Sequence, residues 1–124
     1  MRVFQTAPRW PVLVRIVRMT FAPDTVDPFL DRFDEAAPLI RSFPGCQHLE
    51  LWRDLDASAV CTTYSHWKHS EALANYKNSD LFHRTWSAVT PLFADQPRAR
   101  SYTVARPATA IEDRAQTASA SDAP

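Results

Sequence analysis

Residues 45–67, GCQHLELWRDLDASAVCTTYSHW, constrain the fold most strongly, because their pattern predicts a β-hairpin. Two runs rich in β-branched and aromatic residues flank residues 54–58, a short polar segment with the composition of a turn. With the turn centred near Asp56, Leu51 is predicted to lie opposite Cys61, on a small and apolar face that helices can cover. The opposite face is predicted to carry rings and ionisable groups: His48, Glu50, Trp52, Tyr64 and His66.

A strand and a helix are predicted before the hairpin. Residues 12–21, VLVRIVRMTF, are β-branched and apolar on both faces, which is typical of a strand that is covered on both sides. Apolar side chains at helical spacing predict a helix over residues 25–42. Asp24 or Thr25 can cap its start, and Pro38 is expected to bend it.

The remaining segments also follow helix, turn or strand patterns. Residues 43–46, FPGC, predict a type II turn with proline second and glycine third. The elements predicted after the hairpin are a short helix from His69 or Ser70, a second helical segment capped by Ser79 or Asp80 and ended near Pro91, and a last strand over residues 99–104.

This order, β-α-β-β-α-β, predicts an α+β ferredoxin-like domain: a four-stranded antiparallel sheet with the helices on one face. We expect residues 1–11 to form an arm, residues 12–105 the domain, and residues 106–124 a tail that is disordered or packs only locally. The helices leave one sheet face uncovered, so we expect a homodimer in which two such faces close into a dimeric α/β barrel.

Composition excludes several classes of partner. The 124 residues carry no formal net charge and no basic stripe, so no nucleic-acid partner is expected. No apolar run approaches the ~20 residues that span a bilayer, so no membrane partner is expected, and no signal peptide is recognised, which favours a cytoplasmic protein. Gly45 is the single glycine, which argues against glycine-rich phosphate loops.

The two cysteines are predicted to be free thiols. In the predicted register Cys46 faces His66 rather than Cys61, and two thiols without a secretory signal favour the reduced form over a disulfide. No CxxC, HxxxH or HExxH spacing occurs, so no metal site is expected. No cofactor motif is recognised either, and we expect no cofactor.

Four segments together match a known family pattern: VRIVRMTF, FPGCQHLELWRD, TYSHW and WKHSEALANYKNSDLF. Through them, residues 13–104 resemble the antibiotic biosynthesis monooxygenase family of the dimeric α/β-barrel superfamily. That superfamily includes quinol and polyketide oxygenases, haem-degrading enzymes, isomerases and proteins without assigned activity. Many members have Glu two residues before the tryptophan of the third segment, where this chain has Ser65. Haem-degrading relatives need Asn, Trp and His at three positions, which hold Val17, Tyr76 and Trp86 in this chain. Haem degradation is therefore not expected.

The polar hairpin face is the first candidate site. A base with a pKa near neutral can deprotonate a phenol, and a phenolate can donate an electron to dioxygen, so we predict His48, Tyr64 and His66 as catalytic residues. The alternative is a polar dimer interface in which these groups are hydrogen-bonded across subunits. Polyketide oxygenases of the family use Asn, Trp, Tyr and Arg without metal or flavin. We accordingly predict as substrate-binding residues Arg18, Glu50, Trp52, Trp67, Tyr76 and Trp86.

The second candidate site lies between the sheet and the helices, where the family resemblance favours substrate. Its predicted lining is Phe33, Cys61, Thr63, Trp67, Tyr76, Phe82 and Trp86. The alternative is an ordinary aromatic core. Arg15 and Arg18 point to opposite faces of their strand, and either can simply pair with a carboxylate. His69 and His83 are expected to be solvated helix residues.

The leading hypothesis is a cofactor-independent monooxygenase that acts on a small aromatic, phenolic or quinol substrate. It rests on the family pattern and on an aromatic pocket with imidazoles nearby. Two alternatives remain open. One is a ligand-binding or structural barrel protein without chemistry, and the other is an isomerase or lyase that uses one imidazole to move a proton.

Overall fold

A computed structural model describes residues 13–111 of the chain. Its elements in chain order are β1 (Leu13–Thr20), α1 (Val26–Arg41), β2 (Cys46–Arg53), β3 (Val60–Trp67), α2 (Ser70–Lys77), α3 (Asp80–Val89), a 3-10 turn (Thr90–Leu92) and β4 (Arg98–Tyr102). The predicted order is confirmed, with the second helical region in two parts. The predicted arm, and the tail beyond residue 111, lie outside the described residues. No helix within residues 13–111 is both long and apolar enough to cross a membrane.

The four strands form one antiparallel sheet in the order β2-β3-β1-β4. Side chains alternate across such a sheet, so odd-numbered residues of β1 and β3 share one face. On that face Met19 and Cys61 pack with Phe29 of α1 in a buried cluster. The helices therefore cover one side of the sheet, as the ferredoxin-like prediction requires.

The hairpin forms, but two residues out of its predicted register. Leu51 pairs with Thr63 rather than Cys61, and His48 pairs with His66 directly after a bulge that lies between Cys46 and His48. A shift by an even number leaves every side chain on its predicted face. The cause is a longer turn, in which the Asp54 carboxylate accepts hydrogen bonds from two following backbone N–H groups.

Helix α1 matches its predicted limits to within one residue at each end and continues through Pro38. Thr25 occupies the N-cap position, but its hydroxyl makes no capping hydrogen bond within the helix. Instead it accepts from the backbone N–H of Ala22 and donates to the carbonyl of Leu92 at 2.8 Å. Thr25 therefore ties the start of α1 to the chain that leaves α3.

The two later helices begin with side-chain caps. His69 Nδ1 accepts from the backbone N–H of Ala72 at the start of α2, and Ser79 Oγ accepts from that of Phe82 at the start of α3. Both caps satisfy donors that a helix leaves open in its first turn. His69 is thus a capping residue rather than a merely solvated one.

The buried core between sheet and helices is divided into two clusters. One contains Val17, Met19, Phe21, Val26, Phe29, Cys61 and Val89. The other contains Ala36, Ile40, Cys46, Trp67, Ala72, Leu73 and Tyr76. Both cysteines are buried free thiols, one in each cluster, in agreement with the prediction.

The sheet surface opposite the helices is called the bare face below. Its residues are Val14, Ile16, Arg18 and Thr20 of β1, His48, Glu50 and Trp52 of β2, Val60, Thr62, Tyr64 and His66 of β3, and Arg98, Arg100 and Tyr102 of β4. Trp52 and Tyr102 are 44% and 50% exposed there, whereas Val60 is already buried within the single chain. All of β4 is exposed, and no helix of the described part of the chain covers it.

Candidate functional site

A cavity of about 80 Å³ lies between the sheet and the helices, where the two core clusters meet. We call it the cleft. It is lined by Arg15, Val17, Met19, Phe29, Phe33, Ala36, Ile40, Leu49, Thr63, Ser65, Trp67, Tyr76, Phe82, Thr85, Trp86 and Val89. An apolar cavity of ~150 Å³ binds benzene in an engineered protein, so the cleft has about half of that reference volume.

The wall of the cleft at α2 and α3 consists of packed aromatic rings. Trp67 and Tyr76 are stacked with centroids 5.1 Å apart, and Phe82 and Trp86 are stacked at 5.7 Å. Tyr76 meets Phe82 edge to face at 5.2 Å, which joins the two pairs into one continuous wall. Such offset and edge-on arrangements are the favourable geometries for aromatic rings, and they fix the wall in shape.

Ser65 provides the internal hydrogen bond that holds Trp67. Trp67 is fully buried, and its indole Nε1–H donates to Ser65 Oγ at 3.0 Å. A neutral hydroxyl therefore accepts this bond, and Ser65 adds no charge to the lining of the cleft.

Among the described residues 13–111, Arg15 is the only charged one that lines the cleft. It is partly buried, and burial lowers the pKa of its guanidinium, whereas the charge of Tyr76 acts in the opposite direction. Burial raises the pKa of Tyr76 to about 12, against a smaller lowering by Arg15. At neutral pH the cleft therefore holds a guanidinium cation and an un-ionised phenol.

A wider depression of about 220 Å³ adjoins the cleft between α1 and α3. It shares Ala36 and Thr85 with the cleft, and we call it the mouth. Its charged lining consists of Arg32, Arg84 and Glu35, of which Arg32 and Glu35 lie 3.7 Å apart as an exposed ion pair.

Six of the seven residues predicted for this site line the cleft: Phe33, Thr63, Trp67, Tyr76, Phe82 and Trp86. The seventh, Cys61, is an error of the prediction, because it is completely buried within its core cluster and does not line the cleft. Arg15 was missed as a lining residue. Its odd residue number on β1 indicates that it lies on the same face of the sheet as Val17 and Met19.

The bare face brings together the other predicted residues. The Glu50 carboxylate bonds His48 Nε2 at 2.6 Å and accepts from Trp52 Nε1–H at 2.7 Å. Both hydrogen bonds lower the pKa of Glu50, and the one from Trp52 has the larger effect. Glu50 therefore stays ionised at neutral pH. Trp52 in turn stacks on Tyr64 with centroids 4.6 Å apart.

His66 completes this bare-face cluster. Its ring lies 4.8 Å from that of Tyr64 and 5.0 Å from that of His48. Its Nε2 atom is buried and has no hydrogen-bond partner among residues 13–111. Burial, followed by the neighbouring His48, lowers the pKa of His66, and Glu50 opposes this only in part.

The predicted site residues therefore form two groups on opposite sides of the sheet. Trp67, Tyr76 and Trp86 line the cleft. The other group, on the bare face, comprises Arg18, His48, Glu50, Trp52, Tyr64 and His66. Arg18 lines a depression beside Arg98 and Arg100 of β4 rather than the cleft. Within residues 13–111 no three His, Cys, Asp or Glu side chains converge in a way that could hold a metal ion.

The fold and the cleft together define the class: a ferredoxin-like α+β domain with an aromatic cleft between its sheet and its helices. The family model for antibiotic biosynthesis monooxygenases matches residues 12–88, well over half of the chain. The chain belongs to the antibiotic biosynthesis monooxygenase family. No curated protein matches it closely enough to serve as a relative.

Solved structures of several bacterial proteins share the fold. Three of those that are named as candidate antibiotic biosynthesis monooxygenases cover 76–78% of this chain. The one from Caulobacter crescentus CB15 is 18% identical, with a TM-score of 0.72 and 92% of its own chain covered. Those from Nitrosomonas europaea and Bordetella bronchiseptica are 16% and 20% identical, with TM-scores of 0.71 and 0.69 and 99% covered. At these identities the likeness establishes the fold alone.

Proposed function

We propose that this protein is a monooxygenase that oxidises a small aromatic phenol or quinol held in the cleft, without a cofactor. The observation that carries the proposal is the aromatic wall of Trp67, Tyr76, Phe82 and Trp86 around a cavity, in a chain of the monooxygenase family. Flat rings stacked in this way suit a flat ring as ligand.

The chemistry fits a substrate that supplies its own electrons. A phenolate donates one electron to dioxygen, and the resulting pair recombines to form a carbon–oxygen bond. One oxygen atom stays in the product as a carbonyl, and the other leaves as water with two hydrogens from the substrate. A dry apolar cavity favours these steps, because it excludes the water that would intercept reactive intermediates.

Oxygen consumption in the presence of hydroquinones and anthrone-like compounds tests this proposal. Thr85→Trp places a large ring where the cleft meets its mouth, and we expect it to abolish turnover. Ser87→Trp adds the same side chain to the exposed side of α3 and is the matched control. Folded wild-type protein that turns over none of the panel, or Thr85→Trp protein as active as the control, would contradict the proposal.

The bare-face cluster is a second candidate location for catalysis. The specific observation in its favour is the 2.6 Å hydrogen bond between His48 and Glu50, close to the unpartnered Nε2 of His66. In this version His48, Tyr64 and His66 deprotonate a phenol bound between two sheets, with Arg18, Glu50 and Trp52 binding it. His48→Ala and His66→Ala would then abolish turnover while leaving a dimer. Variants that lose the dimer but keep turnover would assign the cluster to an interface instead.

We also propose that the protein is a cytoplasmic homodimer joined through its bare face. Exposed Trp52 and Tyr102 on that face, and a strand β4 that no helix covers, support the dimer. The buried free thiols Cys46 and Cys61 suit a reducing compartment.

The ligand-binding or isomerase alternatives predict no oxygen dependence, so the same oxygen measurement separates them from the monooxygenase.

A further inference from the structure

We infer that the cleft binds aromatic anions, and that Arg15 selects them by contacting their charged oxygen. The inference deepens the proposed function and rests on it for the location of the substrate. It adds a substrate class, because a neutral quinone or hydrocarbon has no charged oxygen for Arg15 to contact. It also assigns a role to Arg15, which the sequence alone left open.

The charge of Arg15 has no counterpart in the cleft. None of the other fifteen lining residues is acidic, and Arg15 takes part in no salt bridge among residues 13–111. A guanidinium is not deprotonated in proteins, so burial does not remove its charge. A partly buried cation without an anion is unfavourable, and a bound carboxylate or phenolate would remove that cost.

The mouth of the cleft carries charge of the same sign. Arg32 and Arg84 line it with only Glu35 as a counter-charge. Two arginines and one glutamate leave the lining of the mouth with a net charge of +1.

The residues of the cleft also explain how a phenol would ionise there. Within residues 13–111 no imidazole or carboxylate lines the cleft, and Tyr76 is un-ionised, so none of these lining side chains is suited to accept the proton. Arg15 would instead lower the pKa of the substrate's own hydroxyl, whose proton leaves to water through the mouth. An opposite charge within ~4–6 Å lowers a pKa by about 1 to 3 units.

Binding of para-nitrophenol tests the inference without any turnover, because its phenolate is coloured and its phenol is not. We expect the bound compound to titrate about 1 to 3 pH units below the free compound in the wild-type protein. Para-nitroanisole, which cannot ionise, is the neutral reference and should bind at least ~10-fold more weakly at neutral pH. An unshifted titration, or equal affinity for the two compounds, would overturn the inference.

Variants then assign the effect to Arg15. Arg15→Gln should abolish the shift, and Arg15→Lys, which keeps the charge, should retain part of it. Lys77→Gln removes one positive charge from the exposed surface of α2 and should behave as the wild type. A full shift in folded Arg15→Gln protein would overturn the assignment.

Competition experiments identify which anion the cleft accepts. Benzoate should displace para-nitrophenolate and benzamide should not, if a carboxylate is accepted in the same place. A titration shift without displacement by benzoate identifies a site for phenolates alone, and a shift with displacement identifies a site that also accepts carboxylates; both outcomes support an aromatic anion. Failure of all these probes to bind overturns the inference. Binding with the expected shift but without oxygen consumption leaves the inference standing and refutes the proposed oxygenase.

Discussion

At the scale of single residues, Ser65 stabilises the wall of the cleft through one hydrogen bond. Its hydroxyl is the acceptor that satisfies the indole N–H of the fully buried Trp67. Ser65→Ala leaves that donor buried without a partner, and we expect a loss of about 1–3 kcal/mol in the free energy of unfolding. Ser87→Ala on the exposed side of α3 is the control and should change stability by less than ~0.5 kcal/mol. Urea denaturation measures both, and equal effects would show that the bond does not stabilise the fold.

His66 should make stability depend on pH. Its pKa is lowered in the folded chain, so the unfolded chain binds the proton more readily, and stability falls as the pH drops through the ordinary histidine pKa of ~6.5. Glu50 remains ionised in this range, because its own pKa is lowered. We expect the denaturation midpoint to fall between pH 7.5 and 5.5, and to fall by less in His66→Gln. The same pH dependence in the variant would assign the effect to another group.

At the scale of elements, the turn from α1 to β2 depends on one glycine. Gly45 has φ of +91°, and Cys46 N–H donates to the carbonyl of Phe43 at 2.9 Å, as the predicted type II turn requires. A Cβ at this position would clash with the Cβ of Ala72, the first buried residue of α2. The lone glycine of the chain thus serves both a turn and a close helix contact.

Gly45→Ala should therefore destabilise the fold by more than the ~1–2 kcal/mol of a left-handed backbone alone. Adding Ala72→Gly removes the clash but not the backbone strain, so the double variant should recover part of the loss. Thermal denaturation of the two variants separates the contributions. If the double variant were no more stable than the single one, the contact with Ala72 would not be the cause.

At the scale of the whole molecule, the bare face is the surface on which assembly is predicted. Its exposed Trp52 stacks on Tyr64 and stands close to the centre of the polar cluster. Sedimentation equilibrium at micromolar concentration should give twice the chain mass of 14.1 kDa for the wild type. Trp52→Glu places a charge inside the proposed interface and should yield monomers.

Leu55→Glu is the matched control for this experiment. Leu55 is 96% exposed at the tip of the hairpin, outside the bare face, so the same substitution there should leave the dimer intact. A well-folded wild-type monomer would refute the dimer and the second candidate site between two sheets. The cleft would be unaffected, because a single chain encloses it.

Sequence patterns alone determined the element order, the face of each strand residue and the turn at Gly45. These properties follow from local rules: a side-chain period of two in strands, about 3.6 in helices, and the freedom of glycine at positive φ. The tertiary structure decided what depends on distant parts of the chain. The hairpin register shifted by two because the Asp54 turn is longer than its composition indicated, and Cys61 lies in the core rather than in the cleft. Packing places Arg15 of β1 near Tyr76 in a cavity that no carboxylate of residues 13–111 lines. No local pattern in the sequence indicates this, because the two residues are far apart along the chain.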